Sequence, residues 1–98
     1  MENKNEFRYT LYVDTNECSR QYSTNDMLSM TREYNDFIEN VDIDNDSCTD
    51  MAIVDNRTAE VIATYHCDVN SNGDVREEYY KSQSYLNAYV KAFRGEAD

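Results

Sequence analysis

Proline and tryptophan are absent from these 98 residues, glycine occurs twice, histidine once, and lysine only as Lys4, Lys81 and Lys91. Two glycines leave no Gly-rich loop to cradle a phosphate. A single histidine leaves little from which to assemble a nucleophile, a base and an oxyanion site. An enzyme is therefore not the expected reading, and no cofactor is implied. Cys18, Cys48 and Cys67 are odd in number and lack paired spacing, which suits free thiols in a reducing compartment better than a disulfide framework. There is no C-x-x-C pair, and His66 and Cys67, adjacent in an alternating segment, point to opposite faces of a strand, so zinc is not expected.

Long apolar runs are missing too, and none approaches the ~20 residues that a membrane span needs. The polar segment Met1-Glu2-Asn3-Lys4-Asn5-Glu6 leads directly into an alternating stretch and lacks the form of a signal peptide. The expected location is the cytoplasm of a bacterial host.

Positive charge is the most telling shortage. Nine Lys and Arg face 20 Asp and Glu, for a formal net charge of -11. Nucleic acid and anionic membranes would be repelled, because only Lys and Arg neutralise their dense negative charge. The same field speeds encounter with a basic surface, and most basic protein surfaces in a cell hold nucleic acid. Eleven Asn and nine Tyr are the bias that A/T-rich codons produce, and such coding also favours Lys. The scarcity of Lys therefore reads as positive charge being disfavoured, and the origin as bacterial or phage.

Hydrophobic residues make up 40% of the chain and aromatics 12%, too rich for a disordered acidic tail. The expectation is a single acidic α+β domain over residues 1–98. Phe7, Tyr9, Leu11 and Val13 alternate with Arg8, Thr10, Tyr12 and Asp14, as in a strand with one buried face. The stretch from Thr15 to Tyr22 is polar and carries no period. Ser23 and Asp26 suggest a helix start, and Met27, Met30, Tyr34, Phe37, Ile38 and Val41 recur at helical spacing, predicting a helix over 25–40. Met51 to Val54 predict a second strand. Val61, Ala63, Tyr65, Cys67 and Val69 predict a third, joined to the second by an Asp55-Asn56-Arg57-Thr58 turn. After the Asn70-Ser71-Asn72-Gly73 turn, Asp74 and Glu77 suggest a helix cap. Val75, Tyr79, Ser82, Leu86, Tyr89, Val90 and Phe93 then follow helical spacing, with Gly95 as the stop. The expected fold is β-α-β-β-α, a three-stranded sheet with two helices packed on one face. Val61, Ala63, Tyr65 and Cys67 would meet Leu86, Val90 and Phe93. The other face would carry Arg8, Thr10, Tyr12, Thr64 and His66.

Two acidic stretches imitate calcium loops. Asp68-Val69-Asn70-Ser71-Asn72-Gly73 matches the D-x-N-x-N-G opening of an EF-hand, but Tyr79 stands where the closing Glu is required. Asp42-Ile43-Asp44-Asn45-Asp46 repeats the spacing with Ser47 in place of Gly and Ile53 in place of the closing Glu. Asx-rich turns and a cap explain both, so no metal is expected and a calcium-binding domain ranks third among the readings.

Between Arg32 and Arg57 no basic residue occurs, while Glu33, Asp36, Glu39, Asp42, Asp44, Asp46, Asp50 and Asp55 supply eight acids. A solvated edge is the plain explanation. Without compensating cations, however, the run costs stability through self-repulsion, and in an extended segment Asp42, Asp44 and Asp46 would stand ~6.6 Å apart. These eight residues are the candidate partner-binding site, with carboxylates taking Arg and Lys positions that normally hold phosphate. Tyr22, Tyr34, Tyr79 and Tyr80 are candidates for stacking on guanidinium groups, with core packing as the alternative.

In small size, acidic body and lack of catalytic apparatus the chain resembles, in type only, the anti-CRISPR and antirestriction proteins of phages and plasmids. No motif carries particular residues across. The reading is an inhibitor that mimics DNA or RNA in the basic groove of a nucleic-acid-binding defence protein. A CRISPR nuclease is the first choice of target and a restriction enzyme the second. The alternative is a regulatory or structural module that docks or dimerises through the polar sheet face.

Overall fold

The computed structural model describes residues 7–41 and 48–95. Seven elements follow in the order β1 (Tyr9–Thr15), β2 (Ser19–Thr24), α1 (Met27–Glu39), β3 (Cys48–Asp55), β4 (Glu60–Val69), β5 (Val75–Lys81) and α2 (Gln83–Phe93). The strands form one antiparallel sheet in the order β2-β1-β3-β4-β5. The β-α-β-β-α expectation with three strands is thereby corrected to β-β-α-β-β-β-α with five.

Both extra strands lie at the edges of the sheet, where little burial is needed to hold them. β2 follows a turn in which the Thr15 N–H donates to the Cys18 carbonyl at 2.9 Å and the Thr15 hydroxyl accepts from the Cys18 N–H at 3.1 Å. Only Tyr22 of β2 packs against the core, opposite Leu11. β5 returns from β4 through a loop in which the Asn70 side-chain oxygen accepts the N–H groups of Asn72 and Asp74, and Gly73 takes the left-handed φ of 86°. Asp74 therefore closes a hairpin and does not start a helix. The second helix begins at Ser82, whose hydroxyl accepts the Tyr85 N–H at 3.1 Å.

The first helix is capped by Asp26, whose carboxylate takes the Leu28 and Ser29 N–H groups and the Ser29 hydroxyl. The Ser29 hydrogen bond, with help from these N–H groups, holds the Asp26 carboxyl below its ordinary value. One face of α1 buries Met27, Met30 and Tyr34 against Tyr9, Leu11, Val13, Met51, Ile53, Ala63, Tyr65 and Cys67. α2 enters the same core through Tyr85, with Ala88, Tyr89 and Ala92 packed against it. Both helices thus cover the same side of the sheet, and among the described residues nothing covers the other.

Two details revise the expected core. A bulge between β3 and β4 leaves Ile62 as an extra residue between the pairs Ile53↔Ala63 and Val54↔Val61. It turns Ile62 inward and leaves Val61 46% exposed. On α2, Leu86, Val90 and Phe93 are exposed, because Tyr85 and the two alanines form the inner stripe.

Candidate functional site

The uncovered face is built by alternation. Because Leu11, Val13, Met51, Ile53, Tyr65 and Cys67 point to the helices, their neighbours Tyr12, Asp14, Asp50, Ala52, Thr64, His66 and Asp68 point away. One row across the sheet reads Ser19, Asp14, Asp50, His66, Glu78 from β2 to β5, and the next reads Gln21, Tyr12, Ala52, Thr64, Tyr80. Asp14 and Asp50 stand directly opposite one another as a like-charge cross-strand pair, of which Asp50 is also paired with His66. The Ser19 hydroxyl donates to Asp14 at 2.8 Å.

His66 lies on this face on β4, one strand in from the β5 edge. Its Nδ1 is 2.6 Å from an Asp50 oxygen and its Nε2 is 2.7 Å from an Asp68 oxygen. A neutral imidazole has one acceptor nitrogen, which would face a carboxylate lone pair. Two carboxylate partners therefore select the imidazolium, in which both nitrogens donate. Hydrogen bonds to Asp50 and then Asp68 push the His66 pKa above its ordinary value, and those from His66 and then Arg76 push Asp68 below its own. Arg76 completes the chain with a 2.8 Å contact to Asp68. The face therefore presents Asp14, Asp50, Asp68 and Glu78 against His66 and Arg76, with Tyr12 and Tyr80 exposed beside them.

The eight acids singled out in the sequence do not share one surface. Asp50 is on the open face. Asp36 and Glu39 are exposed and Glu33 half-buried on α1, in the layer on the other side of the sheet. Asp55 is only 6% exposed and is held by the Arg8 guanidinium at 3.2 Å and by the Arg57 N–H at 3.0 Å, so its charge is engaged within the fold. Asp42, Asp44 and Asp46 lie outside the described residues. Asp14, Asp68 and Glu78 escaped sequence reasoning because they come from three strands far apart in the chain, one of them read as helix. Of the expected polar face, Tyr12, Thr64 and His66 are present. Thr10 is buried under Ser23 and Asn56, to which it is hydrogen-bonded, and Arg8 is turned to Asp55.

The tyrosines divide as well. Tyr34 is fully buried and Tyr22 half-buried, whereas Tyr79 and Tyr80 are exposed. In the Asp68 to Asp74 segment the Asp68 carboxylate serves His66 and Arg76, and the Asn70 oxygen serves backbone N–H groups. Cys67 is in the core, while His66 is on the opposite face. Among the described residues no group of three His, Cys, Asp or Glu is placed to hold a metal ion, and no helix is long and apolar enough to cross a membrane. Comparison of the chain with protein-family models, with curated proteins and with solved structures finds no match.

Proposed function

We propose that this chain is a non-enzymatic inhibitor that lays the open acidic face of its sheet on the basic, nucleic-acid-binding groove of another protein. Its carboxylates would occupy the sites of phosphates. The directly opposed pair Asp14 and Asp50 is the observation that supports this most. Neighbouring strands hold such residues only ~4.8 Å apart, and His66 is shared between Asp50 and Asp68, so the row keeps a concentrated negative charge that a surface kept merely for solubility does not require. Arg forks bind carboxylate and phosphate alike, and exposed Tyr12 and Tyr80 add flat surface beside the charges. With a net charge of -11 the whole chain steers towards such a groove. The acids of α1 contribute to that field from the far side of the sheet.

A bacterial defence nuclease in the host cytoplasm is the partner we favour, a CRISPR nuclease before a restriction enzyme. The test is binding of the labelled chain to a panel of purified enzymes of both kinds, with and without duplex DNA, over a range of salt. Mimicry requires that DNA compete and that affinity fall steeply with ionic strength. Binding that is indifferent to both would favour docking through Tyr12 and Tyr80 as an uncharged surface.

A further inference from the structure

β5 is an edge strand with an open backbone, and its protection rests on the charges of Arg76, Glu77, Glu78 and Lys81 alone. Among the described residues it pairs only with β4, all seven of its residues are exposed, and it has neither a proline nor a bulge. The Ser82 N–H donates to the Ile62 carbonyl at 2.8 Å, which sets the phase of the ladder. By antiparallel alternation, Tyr80, Glu78 and Arg76 bond to β4, and the N–H and C=O groups of Val75, Glu77, Tyr79 and Lys81 point out of the sheet. Their side chains lie on the helix side, where Tyr79 touches the Tyr65 ring at 5.1 Å and yet remains 57% exposed.

On α2 the structure leaves a second apolar surface. Ala88, Lys91 and Ala92 line a shallow pocket with Asn25, Asp26 and Met27, so that flank of α2 looks toward the start of α1. Leu86, Val90 and Phe93 recur at i, i+4 and i+7 on the opposite flank, away from α1, and Phe93 is 73% exposed.

We propose that this edge is a homodimer interface, in which β5 of a second copy adds antiparallel about a two-fold axis at Tyr79 and joins the two sheets into one. The occupant is identified by charge. Glu77 and Lys81 flank Tyr79 at equal distances, so the two-fold register sets Glu77 of each copy opposite Lys81 of the other, with Tyr79 against Tyr79 between them. A self-complementary edge of this kind matches its own reverse. Glu77 accepts the Tyr65 hydroxyl at 2.6 Å, and the Lys81 ammonium lies 5.9 and 5.8 Å above the Tyr34 and Tyr85 rings, so both side chains are on the helix side of the sheet and would have to share or exchange these contacts to meet across the axis. The open acidic face is untouched by this pairing and would run on from one copy to the next through Glu78.

Sedimentation equilibrium of the full chain at physiological ionic strength tests the proposal, because a Debye length of about 8 Å then screens the net charges. The expected mass is twice 11.5 kDa as concentration rises. Lys81→Glu and Glu77→Lys should each weaken the dimer by ~10-fold or more, since two pairs change from attraction to repulsion. Mixing the two variants should restore dimers. In the wild-type chain, amide exchange at Glu77, Tyr79 and Lys81 should slow over the concentration range in which the mass doubles, a readout that needs no substitution. A mass of 11.5 kDa at every concentration overturns the proposal, and so does a dimer whose Glu77, Tyr79 and Lys81 amides exchange as fast as in the dilute chain.

Discussion

The Tyr34 hydroxyl on α1 donates to the Thr64 carbonyl on β4 at 2.8 Å, across a core in which Tyr34 is fully buried. The contact fixes the helix over the middle of the sheet and satisfies the one polar atom of a large apolar side chain. Tyr34→Phe removes the donor and should cost about 1 kcal/mol in chemical denaturation. An unchanged midpoint would show that the bond contributes nothing.

The same burial makes stability sensitive to alkali. Desolvation pushes the Tyr34 pKa from 10.0 up to about 12, and also raises those of Tyr9 and Tyr85. A group whose pKa is higher folded than unfolded stabilises the fold fully below the unfolded value and loses that contribution as pH rises through the folded one. Unfolding titrations followed by phenolate absorbance should therefore show the tyrosine contribution to stability intact below about pH 9 and lost between pH 10 and 12. The fall should be smaller in Tyr34→Phe, and an equal fall in both would locate the effect elsewhere.

On α2 the inward and outward stripes have opposite sensitivities. Tyr85→Ala opens a cavity in the core and breaks the 2.9 Å contact with the Thr31 hydroxyl, for a cost of ~3–5 kcal/mol. Leu86→Ala, at a position 42% exposed, should change monomer stability by less than about 0.5 kcal/mol. Reversal of that order in thermal melts would mean that the helix is rotated.

His66 sets a second pH dependence. The groups around it are Asp50 on β3, Asp68 on its own strand, Glu78 and Arg76 on β5, and Asp14 one strand further away. Because its folded pKa is raised, the imidazolium supports the fold fully below about pH 6.5 and stops doing so as pH climbs through the raised value. In His66→Gln the decline in stability over that window should vanish. If the wild-type His66 ring titrates by NMR at or below its ordinary value, the carboxylate clamp does not operate in solution.

The strands and helix that bury a face were legible in the sequence. Tyr9, Leu11 and Val13, then Ala63, Tyr65 and Cys67, alternate because each alternate side chain enters the core, and Met27, Met30 and Tyr34 repeat at helical spacing for the same reason. β2 was hidden because only Tyr22 of its six residues packs against the core. β5 was misread because Val75 and Tyr79 happen to continue the helical spacing of the residues that follow, whereas all seven residues of β5 are exposed and no burial pattern marks the strand. The bulge at Ile62 inverted one alternation, since an inserted residue leaves no compositional trace. At the candidate site Tyr12, Thr64 and His66 were legible by alternation. Of the carboxylates around them only Asp50 was singled out in the sequence; Asp14, Asp68 and Glu78 were not, because pairing in space across four strands brings them together, while the described members of the acidic run divide between the open face, α1 and the buried Asp55.

The most direct measurement of the central claim is inhibition of DNA cleavage by purified, guide-loaded CRISPR nucleases, titrated with the wild-type chain and with Asp14→Asn/Asp50→Asn/Glu78→Gln. The triple variant keeps size, and it removes both the like-charge pair and the Asp50 partner of His66, two changes that act in opposite directions, so its melting temperature should change little. If the carboxylates stand in for phosphates opposite Arg and Lys, inhibition of a susceptible nuclease should fall by at least ~100-fold, about 2.7 kcal/mol, in the same variant. Inhibition by the triple variant at wild-type concentration, or no inhibition by the wild-type chain of any CRISPR nuclease or restriction enzyme tested, would contradict the account.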